Sequence, residues 1–160
     1  MPRKCINYSK SAVYRIVQNN TTHYVGSTTN LVKRKYNHKS DSKNPKKKSF
    51  NFPLYKYIRA NGGWENGFEM VLIQEYPLCQ NSQELAMYER EHYEAFQPQL
   101  NAITPYKSVA EKKEDRLTHY RDNRETYLKK SNESYYNNLE YNQAKNREYY
   151  WKNKGKKEAI

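Results

Sequence analysis

Apolar and polar residues first follow the period of a strand along this chain, and then the period of a helix. Over 12–17 (AVYRIV) β-branched and aromatic residues dominate. Val13, Arg15 and Val17 fall on one side of an extended chain, and Ala12, Tyr14 and Ile16 on the other. The polar run 18–22, QNNTT, predicts a turn into a second antiparallel strand, HYVG at 23–26, where Gly26 lets the chain bend. Thr28 or Thr29 can then cap a helix over 30–39. On it Leu31, Arg34, Lys35 and His38 share one stripe at i, i+3, i+4 and i+7. The stretch 40–49, SDSKNPKKKS, is polar and charged throughout and predicts a loop that does not pack.

A second helix is predicted over 52–60, opened by Pro53 and stopped by Asn61-Gly62-Gly63, with Leu54, Tyr57 and Ile58 facing inward. The dense apolar run 68–76, FEMVLIQEY, predicts a third strand at the centre of the sheet. Asn81 with Glu84 resembles a capping box and opens a helix over 82–96, with Leu85, Tyr88, Glu89, His92 and Phe96 on one stripe. Pro98 ends that helix, 98–103 returns to an extended path, and Pro105 marks a boundary. The pattern is that of a small α/β domain over 11–104, with a three-stranded, mainly antiparallel sheet flanked by helices. A basic lead-in, 1–10, carries Arg3, Lys4 and Lys10. A Tyr/Lys/Asn-rich tail, 105–160, is helical or partly disordered. In the tail Leu117, Leu128, Leu139 and Tyr150 recur every 11 residues, which suits one narrow stripe on a long helix.

Composition sharpens the picture. With 36% hydrophobic and 29% charged residues, part of the chain is expected to lie outside a packed core. A net charge of +12 and a pI near 9.5 call for a polyanionic partner, nucleic acid before an anionic membrane surface. Residues 33–48 hold eight Lys/Arg against one Asp. Alone such a run is a solvated loop. Beside a helix bearing Arg34 and His38 it suits a phosphate backbone, with Lys33, Lys35, Lys39, Lys46, Lys47 and Lys48 as candidate contacts. The longest apolar run, MVLI at 70–73, is too short to span a bilayer, and no secretory h-region follows Met1. Cys5 and Cys79 lack metal or disulfide spacing. An intracellular, reduced protein, nuclear or cytoplasmic, is expected.

Two tripeptides then carry a resemblance. AVY at 12–14 and YVG at 24–26 resemble the paired motifs of the GIY-YIG endonucleases. Arg34 stands eight residues after Gly26, His38 four further, and Glu89 nine before Pro98, with Asn101 three after it. All follow the family's order. The stretch from Leu54 to Tyr76 is similar to homing-endonuclease-like members, including those of viral or mobile-element origin. Ala12 departs from the motif glycine, and valines replace both isoleucines. Glu91 also lies on the last helix, but spacing and the apolar stripe favour Glu89.

The resemblance implies a Mg²⁺-dependent (or Mn²⁺-dependent) DNA endonuclease acting on duplex DNA. It implies Glu89 as metal ligand, Arg34 on the scissile phosphate, and Tyr14 or Tyr24 positioning the water. His38 relays a proton or touches the phosphate, and Asn101 supports the metal side. Positive charge nearby is expected to favour a tyrosine phenolate. With 17 tyrosines in the chain, no single one stands out without the spacing. The alternative is a non-catalytic DNA- or RNA-binding protein on the same fold. The tail either grips DNA beyond the cut site or is a solvated extension.

Overall fold

The computed structural model describes residues 5–157; Arg3 and Lys4 of the lead-in lie outside them. The chain divides into two compact units, Met1–Lys107 and Ser108–Ile160.

In the first unit β1 (Ser11–Gln18), β2 (Thr21–Thr28) and β3 (Glu69–Tyr76) form a fully antiparallel sheet in the order β2-β1-β3. The central strand is β1, which corrects the expectation that 68–76 lies in the middle. A dense apolar run does not report pairing, nor burial here: no residue of β3 is buried and Leu72 is 43% exposed, while Ala12, Val13, Tyr14 and Ile16 of β1 are buried. Tyr14 and Ile16 pack into a cluster with Leu54, Tyr55, Ile58, Trp64 and Phe68. Burying each such side chain contributes about 1.5–3 kcal/mol. Arg15, on the other side by alternation, stacks 4.9 Å from the ring of Phe96. Register shifts between Val13 and Tyr14 and between Ile16 and Val17 bracket Tyr14. Such bulges re-aim side chains next to functional sites.

The β1–β2 turn is tighter than 18–22 suggests. Asn19 and Asn20 alone form it, both left-handed at φ 49° and 61°. That geometry matches the strand twist and suits asparagine. Next comes α1 (Leu31–Lys43), capped by Asn30, whose Oδ1 accepts from Lys33 N at 2.9 Å. Thr28, expected as a cap, accepts instead from Asn30 N.

The helix also takes in 40–43, expected as loop. It packs through polar side chains, because its buried residues are His38 and Ser42. Ser42 Oγ accepts from Trp64 Nε1 at 2.8 Å and donates to Lys39 O at 2.9 Å. A hydrogen-bonded buried face leaves no apolar period in the sequence.

Pro53 opens α2 (Pro53–Ala60), which buries Leu54, Tyr55 and Ile58, with Tyr57 packed beside them. Left-handed Gly62 and Gly63 follow it. α3 (Ser82–Phe96) has the expected bounds, with Asn81 Oδ1 accepting from Gln83 N and Glu84 N. Residues 98–103 form no strand; Leu100 N donates to His23 O.

The second unit holds α4 (Val109–Asp122), α5 (Arg124–Asn137) and α6 (Leu139–Lys157). Its helices break at Asn123 and Asn138, so the repeat of the structure is 15 residues and not 11. Each asparagine amide donates to a carbonyl four residues back, Asn123 to His119 and Asn138 to Ser134. Asn153 repeats the bond to Tyr149 within α6. Asparagine competes in this way with the helical ladder. No described side chain of this unit is buried.

Candidate active site

A cavity of about 330 Å³ opens between α1, α2 and α3, and its lining includes Tyr24, Arg34, His38, Asp41, Tyr55, Glu89 and Asn101. β2 brings Tyr24, α1 brings Arg34 and His38 one helical turn apart, and α3 brings Glu89 from far along the chain. Tyr14, fully buried in β1, stands behind this wall. Its hydroxyl accepts from Arg34 Nε at 2.8 Å and bonds His38 Nε2 at 2.7 Å. Tyr14 thus fixes the guanidinium, and Tyr24 is the motif tyrosine that lines the cavity.

Burial dominates the ionisation of the site. It pushes both tyrosines above their ordinary range; Arg34 pulls the other way and does not win, while Tyr14 is raised further by Tyr24 and Tyr24 by Glu89. Phenolate is therefore disfavoured in the free protein, although Arg34 lowers both tyrosines as its charge predicts. Burial, helped by Arg34, lowers His38 to about 3, so the ring is neutral at any working pH. Both its ring nitrogens are bonded to tyrosine hydroxyls, Nε2 to Tyr14 and Nδ1 to Tyr55 at 2.9 Å. As placed, His38 has no nitrogen left for a phosphate. Arg34 is held above its ordinary value: burial works against the cation, and Tyr14 and Tyr24 outweigh it.

Glu89 is half-buried and Glu91 is exposed. Glu89 Oε2 accepts from Ser27 Oγ at 2.5 Å. Burial raises its carboxyl, opposed by the Ser27 bond and Arg34. Asn101 lines the same cavity and bonds the backbone of β2. Its Oδ1 accepts from Val25 N at 3.0 Å and its Nδ2 donates to Val25 O at 2.7 Å, so the amide serves as an extra partner on the free edge of β2. Of the six candidate lysines, Lys33, Lys35, Lys39, Lys46 and Lys48 are exposed. Lys47 instead pairs with Asp41 Oδ1 at 2.6 Å. Ser27, Tyr55 and Asp41 were not singled out by sequence; only the place of Ser27 directly after Gly26 could have pointed to it.

Gly26 faces the two motif tyrosines. A Cβ there would lie 2.6 Å from the Tyr14 hydroxyl and 2.7 Å from Tyr24 Cε1. Gly26→Ala is expected to displace both rings and reduce turnover about 10²-fold, the scale of a 1 Å misplacement. Circular dichroism beside a cleavage assay checks that the loss is local.

A fixed guanidinium, a tyrosine hydroxyl and a carboxylate surround one cavity on an α/β fold. Residues 10–101, more than half of the chain, match the GIY-YIG catalytic domain, and the chain belongs to this family of nucleases, which act on DNA. No curated protein and no solved structure matches it. No helix among the described residues is long and apolar enough to cross a membrane.

Proposed function

We propose that this nuclease is a Mg²⁺-dependent endonuclease of duplex DNA, with Mn²⁺ able to replace Mg²⁺. The observation that carries the reading is that Tyr24, Arg34 and Glu89 share one cavity wall. The donor set suits the ion. Glu89 is a carboxylate in a partly desolvated place, where an uncompensated charge is unfavourable, and Asp41, the other carboxylate of the lining, is paired with Lys47. Among the described residues no group of three His, Cys, Asp or Glu is gathered as zinc sites require. Mg²⁺ accepts few protein ligands and keeps its waters. When bound by Glu89 it supplies Lewis-acid neutralisation of charge developing on the phosphate and the leaving oxygen.

The chain's own residues do the rest. With Nε taken by Tyr14, Arg34 presents its terminal nitrogens to the scissile phosphate as a charged, planar fork. Tyr24, neutral in the free protein, orients the attacking water by accepting a hydrogen bond. It becomes able to take the water's proton only as phenolate, which needs more positive charge than Arg34 supplies. The rate is thus expected to rise with pH through the neutral range, since the phenolate fraction grows tenfold per pH unit below the tyrosine pKa. The exposed lysines Lys33, Lys35, Lys39, Lys46 and Lys48 support backbone contacts to a duplex.

The test is nicking of supercoiled plasmid with Mg²⁺, with and without EDTA, beside branched and single-stranded DNA. Open circles that require the ion are expected. A protein that shifts DNA on a gel and never cuts any of these substrates would be a binder on a nuclease fold.

A further inference from the structure

Behind the cavity runs a chain of hydrogen bonds longer than the nuclease chemistry needs. Arg34 Nε donates to Tyr14, Tyr14 meets His38 Nε2, and His38 Nδ1 meets the Tyr55 hydroxyl. Tyr55 in turn donates to Asp41 Oδ2 at 3.5 Å, and Lys47 Nζ holds Asp41 Oδ1 at 2.6 Å and Ser40 Oγ at 3.0 Å. Both ends of the chain have a fixed direction. Arg34 can only donate, and a carboxylate can only accept.

We propose that Asp41, acting through Tyr55, is a positioning residue that keeps the His38 proton on Nδ1, so that Nε2 accepts from Tyr14 and the Tyr14 oxygen stays free to orient Arg34. The proposal rests on the nuclease reading above and adds two residues to it.

Polarity is set from the carboxylate inward. At 3.5 Å the Tyr55–Asp41 bond is long, but the charge of Asp41 still draws the phenolic proton towards it. The Tyr55 oxygen then turns a lone pair to His38, and at 2.9 Å Nδ1 must be the donor. A neutral imidazole carries one proton, so Nε2 is the acceptor and the Tyr14 proton points at it.

The opposite tautomer makes the Tyr14 oxygen accept twice, from Arg34 and from Nε2–H, deprives the Tyr14 proton of its His38 acceptor, and turns the Tyr55 proton away from the carboxylate. Tyr14 and His38 are at most 1% exposed, which leaves no bulk water to repair that mismatch. The groups facing His38 from all sides are Tyr14, Tyr24, Tyr55 and Trp64 as rings, with Arg34 and Asp41 as charges. Asp41 is the only acceptor-only group among them. The logic is that of a carboxylate selecting a histidine tautomer for its neighbour, here relayed through one phenol.

The experiment reads the tautomer directly. Two-bond ¹H–¹⁵N correlation on ¹⁵N-histidine protein, without DNA or metal, is compared for the parent, Tyr55→Phe and Asp41→Asn; His38→Gln assigns one signal among the four histidines. The parent is expected to show Nδ1–H at His38. Tyr55→Phe removes the acceptor and is expected to move the proton to Nε2. Asp41→Asn, which keeps size but removes charge, should give a mixture. In plasmid nicking both variants should lose kcat, Tyr55→Phe by about 10²-fold, with KM for DNA within about twofold.

A parent with Nε2–H at His38 overturns the proposal. So does a variant whose tautomer switches while kcat holds. If Tyr55→Phe fails to fold, Asp41→Asn decides alone. A parent that shows Nδ1–H yet cuts no DNA fails the nuclease reading, not the tautomer assignment.

Discussion

Replacing Glu89 by glutamine is expected to leave a folded protein that no longer nicks DNA. Glutamine keeps the shape and can still accept from Ser27 Oγ, which bonds Glu89 at 2.5 Å, so local packing survives. What disappears is the negative charge that would hold Mg²⁺. Charge neutralisation by a catalytic ion is worth several kcal/mol. A loss of about 4 kcal/mol is about 10³-fold in rate.

The same change should raise the thermal stability of the metal-free protein at neutral pH. Burial raises the Glu89 carboxyl in the folded state, so the native protein binds that proton more tightly than the unfolded chain does. Stability is then lost as pH climbs from the unfolded value through the folded one, and the charged form carries that cost at pH 7. Removing the charge removes the cost. Mg²⁺ should raise Tm for the parent and not for Glu89→Gln, because only a group that binds the ion gains from it. A glutamine variant that nicks at the parental rate ends the assignment of Glu89.

Arg34→Lys should be nearly as damaging although it conserves charge. The guanidinium reaches Tyr14 through Nε at 2.8 Å, and the side chain lines the cavity. A lysine ammonium cannot be anchored and presented in both directions at once, and it lacks the planar fork that matches a phosphate. Losing one preorganised donor to transition-state charge costs about 10²–10³-fold. DNA affinity should hardly move, since one contact among several phosphate contacts is altered and its charge is kept. Single-turnover cleavage beside a salt titration of binding separates these effects. An equal fall in rate and affinity would show that Arg34 serves binding alone.

Much of this fold could be read from the chain. The strand–turn–strand of β1 and β2 shows in the alternation of AVYRIV and the polar break after it, and the bounds of α3 follow from Asn81 and Pro98. Spacing also separated Glu89, on the cavity wall, from exposed Glu91. The illegible parts share one cause. α1 is buried through His38 and Ser42, whose partners Tyr14, Tyr55 and Trp64 lie on other elements. Polar pairing at a distance leaves no periodic mark. Asn101 keeps its place in the motif order, and the long-range bonds of its amide to the Val25 backbone leave no mark in the sequence. Arg34 lowers both tyrosines as its charge predicts, and burial, which cannot be counted along a sequence, outweighs it in the free protein.

The bond between Ser27 and Glu89 joins residues 62 positions apart. At a synthesis rate of about 5–20 residues per second, the tyrosine hairpin emerges several seconds before the carboxylate that completes the site. During that interval the nascent chain carries its arginine and its basic helix without the carboxylate that α3 adds to the cavity wall. The order of residues along the chain therefore delays the complete cavity until α3 has been made.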